Sequence, residues 1–379
     1  MIVLEVYLDN AATTKPCAEA VAAITEALTE NWGNPSAVHS RGFRAEQAVK
    51  QARQQVADAL GCQPGQVYFT SGGTESDNFA VFSAAQKLHK RGHHIITTAV
   101  EHHAILNPIK ALEARGYEVT YLVPGEDGTI SRRQLSEALR RDTILVSIMM
   151  VNNETGAVND ISGLAKLTHQ KAPNAIFHTD AVQGFMKVPF RASSLGADLI
   201  SISSHKIQGP KGCGAIYVSE KQHLPPVQYG GGQEKGLRSG TENVPMILGF
   251  GAACRRAADH LADKLQAMNT LKEYCLAELA EKVPQAVVLG SHQAPHIISL
   301  AVPGVRSQGL IGCLQQREVY VSAGSACSRG HRSHVLEALS VPGDLIDGSV
   351  RISFCFDTTK EEIDAFITAL SESVTQLGA

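Results

Sequence analysis

The chain has 379 residues, is 44% hydrophobic and carries a formal net charge of -3. That length exceeds one ordinary core and fits a large unit plus a smaller one, the apolar content excludes a disordered chain, and the near-balance of charge offers no nucleic-acid surface. No apolar run approaches the roughly 18 residues of a membrane span. The first fourteen residues show neither a basic region nor a cleavage site, so no secretory signal is expected. The eight cysteines form no Cys-x-x-Cys pair, which points to a reducing cytoplasm rather than a disulfide scaffold.

Helical periodicity runs over 19–31 and 44–60, the second stretch stopping at Gly61. Strand-like runs follow at 66–70, 94–98, 118–122, 143–150, 175–178 and 198–203. Helical stretches lie between several of them, at 76–91, 104–115, 132–140 and 161–170. Continuous apolar strands alternating with helices predict an α/β fold whose mostly parallel sheet is covered on both faces. The character changes near residue 255. A long helix then carries Leu261, Leu265, Met268, Leu271, Cys275 and Leu279 at three- or four-residue spacing, and short strands and helices continue to a last helix from about Lys360. A smaller α+β unit is expected there.

Five segments at strand ends carry candidate chemistry. Ser203-Ser-His-Lys206 places a lysine at the carboxyl edge of the sheet, where a desolvated amine can join an aldehyde, with Ser204 and His205 as phosphate donors. Alone, Lys206 reads more readily as a surface lysine in a polar loop. Ser71-Gly-Gly-Thr-Glu-Ser76 brings Gly73 and Thr74 to a helix N-terminus, an anion site or simply a capped turn. Asp180 closes a buried strand and needs a partner such as a protonated ring nitrogen, or else caps the next helix; Gln183 follows within reach of a ring hydroxyl. His102 could stack on a flat cofactor and move protons, although a lone histidine is commonly structural. Asn152-Asn-Glu154 ends a further strand. Five such segments on one sheet edge favour a phosphate-bearing cofactor held by a lysine.

The sequence resembles the group I cysteine desulfurases, within the fold-type I, class V aminotransferase family. The resemblance rests on Tyr7-Leu-Asp-Asn-Ala-Ala-Thr-Thr14, Gly33-Asn-Pro-Ser36, Ser71-Gly-Gly-Thr-Glu-Ser76, Glu101-His102, Asn152-Asn-Glu154, Asp180-Ala-Val-Gln183, Ser204-His-Lys206, Arg238-Ser-Gly-Thr241, Ser322-Ala-Gly-Ser-Ala-Cys327 and Arg351-Ile-Ser353. It implies a seven-stranded, mostly parallel sheet in a cofactor-binding unit (13–257) and a small unit (1–12 and 258–379). It also implies pyridoxal 5'-phosphate held by Lys206, with Gly73, Thr74, Ser204 and His205 at the phosphate and Thr241 arriving from the second subunit of a homodimer. Asp180 would pair with the ring nitrogen, Gln183 with the ring hydroxyl and His102 with the ring face. Asn153 would lie beside the cofactor and Arg351 would grip the substrate carboxylate.

By the same resemblance, Cys327 receives sulfur from L-cysteine as a persulfide, L-alanine leaves, and the sulfur passes to an iron–sulfur scaffold or a thiolation enzyme. The neighbouring Arg329, His331 and Arg332 favour a thiolate. An inert loop cysteine and a metal site of Cys327, His331 and His334 are the other readings, the latter without an evident fourth ligand. A selenocysteine lyase or another β-eliminating member of the class is the alternative activity. Two departures bear on the acceptor. The loop after Cys327 is about two residues shorter than in many group I members. The chain also ends soon after its last helix, where many members carry an extension that docks a scaffold. A dedicated acceptor that brings its thiol close is therefore expected.

Overall fold

A computed structural model of the chain describes residues 4–291, 293–324 and 332–378. In chain order its strands are β1 (Val6–Tyr7), β2 (Val67–Thr70), β3 (His94–Thr98), β4 (Glu118–Leu122), β5 (Thr143–Ser147), β6 (Ile176–Asp180), β7 (Leu199–Ser203), β8 (Gly214–Val218), β9 (Val287–Leu289), β10 (Ile297–Ala301), β11 (Val319–Tyr320), β12 (Ser322–Ala323) and β13 (Ser349–Ser353). The central sheet has seven strands in the order β2-β8-β7-β6-β5-β3-β4. Only β8 runs antiparallel to its neighbours.

The inner strands are buried along their whole length, so each residue must find an apolar partner on one of two faces. Ile96, Val146, Phe177 and Ile200 join one core with helices Ala18–Thr29, Ser40–Leu60 and Val244–Ala258. Their chain neighbours Ile95, Leu145, Ile176 and Leu199 join the other, beneath helices Gly73–Leu88 and His103–Glu113. This period of two is the pleat itself. Truncating a fully buried isoleucine such as Ile96 to alanine costs about 2–5 kcal/mol.

The expected elements correspond closely to the observed ones. The helix expected over 44–60 spans Ser40–Leu60, because the His39 side chain accepts from Gly42 N at 3.2 Å and starts it a turn early. It does stop at Gly61, whose φ of 70° is left-handed. β8 has no counterpart in the sequence reading; Gly214-Ala-Ile-Tyr-Val218 follows a glycine- and proline-rich loop and is too short to show a period.

A second core lies on the sheet β12-β13-β10-β9 and the helices Leu261–Lys282 and Lys360–Gln376. The start of the chain belongs to this core: β1 pairs with β11, and Val6 and Leu8 are fully buried there. Residues 9–14 then cross to the large sheet. Ala11 N donates to Ser353 Oγ at 2.7 Å, and Thr14 Oγ1 donates to His205 O at 2.8 Å. Among the described residues no helix is long and apolar enough to cross a membrane.

Candidate active site

All five parallel-strand ends that carry chemistry open on one edge of the sheet, as the topology requires for β2, β3, β5, β6 and β7. Between them lies a cavity of about 410 Å³ lined by Thr74, His102, Asn153, Asp180 and Lys206, with Arg351 entering from the second core. A second depression of about 360 Å³ shares Gly73, Thr74, Ser203 and His205 with it. A larger groove of about 1100 Å³ sits at the opposite edge, around Cys62, His169 and Asp198, and receives none of these segments.

Lys206 sits just past β7, and its Nζ donates to Ala11 O and Ala12 O, each at 2.7 Å. The crossing segment thus aims the amine into the cavity. Asp180 is 6% exposed, and its Oδ1 accepts from Val182 N at 2.8 Å. Burial pushes its pKa up to about 6, against the opposing pull of Lys206. A cationic partner inside the cavity would restore its charge. His102 Nδ1 accepts from Ala104 N at 3.1 Å, which caps the helix His103–Glu113 and leaves Nε2 to carry the proton. Burial first, then Lys206, push its pKa down to about 4, so the ring is neutral near pH 7.

Arg351 reaches in from β13. It is 3% exposed, donates through Nη1 to Asn153 O at 2.8 Å and through Nη2 to Asp9 Oδ1 at 2.9 Å. Its Nε has no hydrogen-bond partner among the described residues. Gln183 lines the cavity with its amide already held: Nε2 donates to Ala11 O at 2.8 Å and Oε1 faces His296 Nε2 at 3.2 Å. His205 Nδ1 lies 3.2 Å from Thr13 Oγ1, and burial pushes its pKa down to about 3.

The geometry corrects one expected residue. Ser204 is fully buried and does not line either hollow; a Cβ built on Gly209 would fall 2.1 Å from its Oγ, so the side chain points under Gly209. Ser203 faces both hollows instead, and its Oγ has no hydrogen-bond partner among the described residues. The pleat explains the exchange. Ser203 shares the face of Leu199 and Ser201, the one covered by the helix that starts at Gly73, and this alternation was readable in the sequence. Thr241 is exposed and lines neither hollow of its own chain. Glu75 turns from the cavity to Arg238, with Nε to Oε1 at 2.6 Å, and ties down the segment leading to Thr241. Three further lining residues are Asp77, which the sequence reading does not single out, Glu154, which it names only within the Asn152-Asn-Glu154 segment, and His334, which it weighs only as a metal ligand. Cys327, Arg329 and His331 lie outside the described residues. Arg332 pairs with Asp347 at 2.7 Å, and Ser333 donates to the buried Glu154.

The residues present fit a phosphorylated pyridine aldehyde. At the anion end stand the Thr74 hydroxyl, the partnerless Ser203 Oγ, His205, Lys211 and the first-turn N–H groups of helix Gly73–Leu88. A Cβ on Gly73 would lie 2.7 Å from Val182 Cγ2, so only glycine leaves this backbone open to a close anion. An amine, a carboxylate and a neutral imidazole occupy the other end.

Residues 6–366 match the family model described as aminotransferase class-V. The chain is 40% identical over 377 residues to the cysteine desulfurase IscS of Dictyoglomus turgidum, covering 98% of this chain and 95% of that protein. It is 39% identical to the cysteine desulfurase IscS of Methanosarcina thermophila, covering 98% and 92%. Among solved structures, a NifS-like protein superposes with a TM-score of 0.93 at 34% identity, over 98% of this chain and 100% of that one. SspA in complex with cysteine superposes with a TM-score of 0.79 at 32% identity, over 92% and 98%. With the sheet, the cavity and its lining in place, these matches over nearly its whole length make the chain a member of the aminotransferase class-V family.

Proposed function

We propose that this chain is a pyridoxal-phosphate-dependent cysteine desulfurase that converts L-cysteine to L-alanine and leaves the sulfur as a persulfide on Cys327. The observation that carries this reading is the meeting of the Lys206 amine, the Asp180 carboxylate and the Arg351 guanidinium in one cavity. Lys206 would hold the cofactor aldehyde, Asp180 would pair with its ring nitrogen, His102 would serve its ring face, and Gln183 and Asn153 its edge. Thr74, Ser203 and His205 would hold the phosphate. When bound, pyridoxal phosphate supplies an electron-accepting ring that acidifies the substrate Cα–H.

The chain's own residues do the rest. Arg351 orients the substrate carboxylate through its partnerless Nε, while Asn153 O and Asp9 keep the guanidinium in plane. Lys206 Nζ moves the Cα proton, and His102 Nε2 is placed to return a proton to the product. The Cys327 thiolate takes the sulfur: one S–S bond forms, one C–S bond breaks, and the substrate leaves as alanine. The cofactor unit comprises 13–257, and the unit of 1–12 and 258–379 brings the Cys327 loop to it. The persulfide then serves an iron–sulfur scaffold or a thiolation enzyme in the cytoplasm. The selenocysteine lyase alternative draws no support from the relatives' names.

The test is sulfur-labelled cysteine with the wild type, Lys206→Ala and Cys327→Ser. The wild type should give alanine and a labelled persulfide at Cys327. Lys206→Ala should lose both products and the visible absorbance of the bound cofactor. Cys327→Ser should keep that absorbance and form no persulfide; turnover at the wild-type rate would reject Cys327 as the acceptor of sulfur.

A further inference from the structure

The ring end of the cavity carries two carboxyl groups, of which the proposed function uses one. Asp77, from helix Gly73–Leu88, and Asp180, from the end of β6, both line it. Asp77 is 1% exposed, and its Oδ1 has no hydrogen-bond partner among the described residues. His178 Nε2 lies 3.7 Å from that oxygen. This imidazole is no counter-ion. It is fully buried, its two nitrogens face Ser147 Oγ and Ser201 Oγ at 2.9 Å each, and burial pushes its pKa down to about 3. The other titratable groups facing Asp77 are acids: Asp180 on β6 and Glu101 in the loop after β3. Lys206 and His102 also line the cavity, but the pull of Lys206 is felt at Asp180. Burial, and next the charge of Asp180, push the Asp77 carboxyl well above the usual range, against the opposing pull of a Ser201 hydrogen bond. Two buried acids that line one cavity and feel each other's charge do not both ionise readily without a cation between them.

We propose that Asp77 is a positioning residue: it keeps its proton, donates it as a hydrogen bond within the carboxyl pair, and leaves Asp180 as the charged member facing the ring nitrogen of the bound cofactor. The inference rests on the pyridoxal-phosphate reading. Its consequence is that the pair carries one negative charge, matched by one protonated ring nitrogen. An ionised Asp77 would instead leave a surplus negative charge near the Lys206 amine and raise its pKa.

The test uses the holoenzyme of the wild type, Asp77→Asn and Asp77→Ala. Three quantities are read: the pH midpoint of the visible absorbance, the affinity for pyridoxal phosphate in reconstitution, and the infrared difference spectrum with carboxyl-labelled aspartate. Asn is uncharged and keeps a donor, so Asp77→Asn should hold the wild-type midpoint and affinity within about twofold. Asp77→Ala leaves Asp180 short of a donor and should weaken affinity about tenfold. The wild type minus Asp77→Asn spectrum should contain a protonated carboxyl band at neutral pH. A midpoint that falls by about one unit in Asp77→Asn would mean that a negative charge was removed, and would overturn the proposal. So would an Asp77→Ala enzyme indistinguishable from wild type, or a difference spectrum showing only carboxylate. Should Asp77→Ala fail to fold, the spectrum of Asp77→Asn decides alone. A wild type without visible absorbance would remove the cofactor reading itself, and the proposal with it.

Discussion

At the scale of single residues, burial drives the titratable groups in and behind the cavity wall in two opposite directions. The histidines go down: His102 to about 4, His205 to about 3 and His178 to about 3. The folded state then binds fewer protons than the unfolded one, so their contribution is present above about pH 6.5 and lost as pH falls through those values. The carboxyls go up: Glu101 to about 8 and Glu154 to about 7. Here the folded state binds more protons, and the contribution present at low pH is lost as pH rises through those values. Above about pH 6.5 the histidines are silent, and the carboxyls are opposed by Lys187 and Lys272, which burial pushes down to about 7 and about 8, so that their contribution is regained as pH rises. Glu101 is the clearest case, fully buried with Oε1 held by Thr98 Oγ1 at 2.9 Å and Met149 N at 2.8 Å, and Oε2 partnerless among the described residues. Between about pH 6.5 and 8.5 Glu101→Gln should therefore gain stability relative to the wild type by on the order of 1–3 kcal/mol. Thermal midpoints of both proteins at the two pH values check this. At Arg351, a lysine cannot reproduce a guanidinium whose two outer nitrogens serve Asn153 and Asp9. Arg351→Lys should raise KM for cysteine about tenfold or more while the visible absorbance stays unchanged.

At the scale of elements, the site is a set of strand ends, and that is why so much of it was legible. An apolar run ended by Ser-His-Lys, by Asp or by Glu-His announces both the strand and the edge on which it opens, because buried strands tolerate polar residues only where a ligand or partner waits. What escaped was a matter of one-residue phase. Choosing Ser203 over Ser204 required knowing which face of β7 lies under helix Gly73–Leu88, and the continuous burial of that strand hides the face from a hydrophobicity pattern. Asp77 escaped for the helical counterpart of this reason: one turn inside an apolar helix, it reads as a solvated residue until the helix is docked on β6. Gly73 sits where both elements meet. Gly73→Ala would place a Cβ 2.7 Å from Val182 Cγ2 and shift the backbone that faces the anion. The expected outcome is a folded protein whose affinity for pyridoxal phosphate falls about tenfold, with the loss relieved for the dephosphorylated cofactor. Equal loss for both forms would show that Gly73 does not act at the phosphate.

At the scale of the whole molecule, the chain's surface bears features that an isolated chain does not explain. Leu28, Trp32 and Phe43 are 60%, 62% and 59% exposed, and Val21 and Tyr229 are exposed as well. Thr241 also faces outward, while the segment before it is held firmly, through the Arg238 pair with Glu75 and the bidentate Arg53 pair with the buried Glu234. A loop fixed at its root and polar at its exposed tip suits a residue that acts in a neighbouring chain, which is the role expected for Thr241 in a homodimer. This makes a complementation test decisive. A Lys206→Ala chain keeps Thr241, and a Thr241→Ala chain keeps Lys206. In a mixed dimer with Thr241 acting across the interface, one site pairs intact Lys206 with intact Thr241, and the other lacks both. With Thr241 acting in its own chain, each site carries one defect. One hydrogen bond to a phosphate is worth roughly 1.5–3 kcal/mol, so Thr241→Ala homodimers should bind cofactor at least about tenfold more weakly than wild type. Mixing and re-annealing the two variants should then create a population of sites with wild-type cofactor affinity, absent from either parent. Titration of the mixed dimers with pyridoxal phosphate, followed by visible absorbance, reads that population directly, and its absence would confine Thr241 to its own chain.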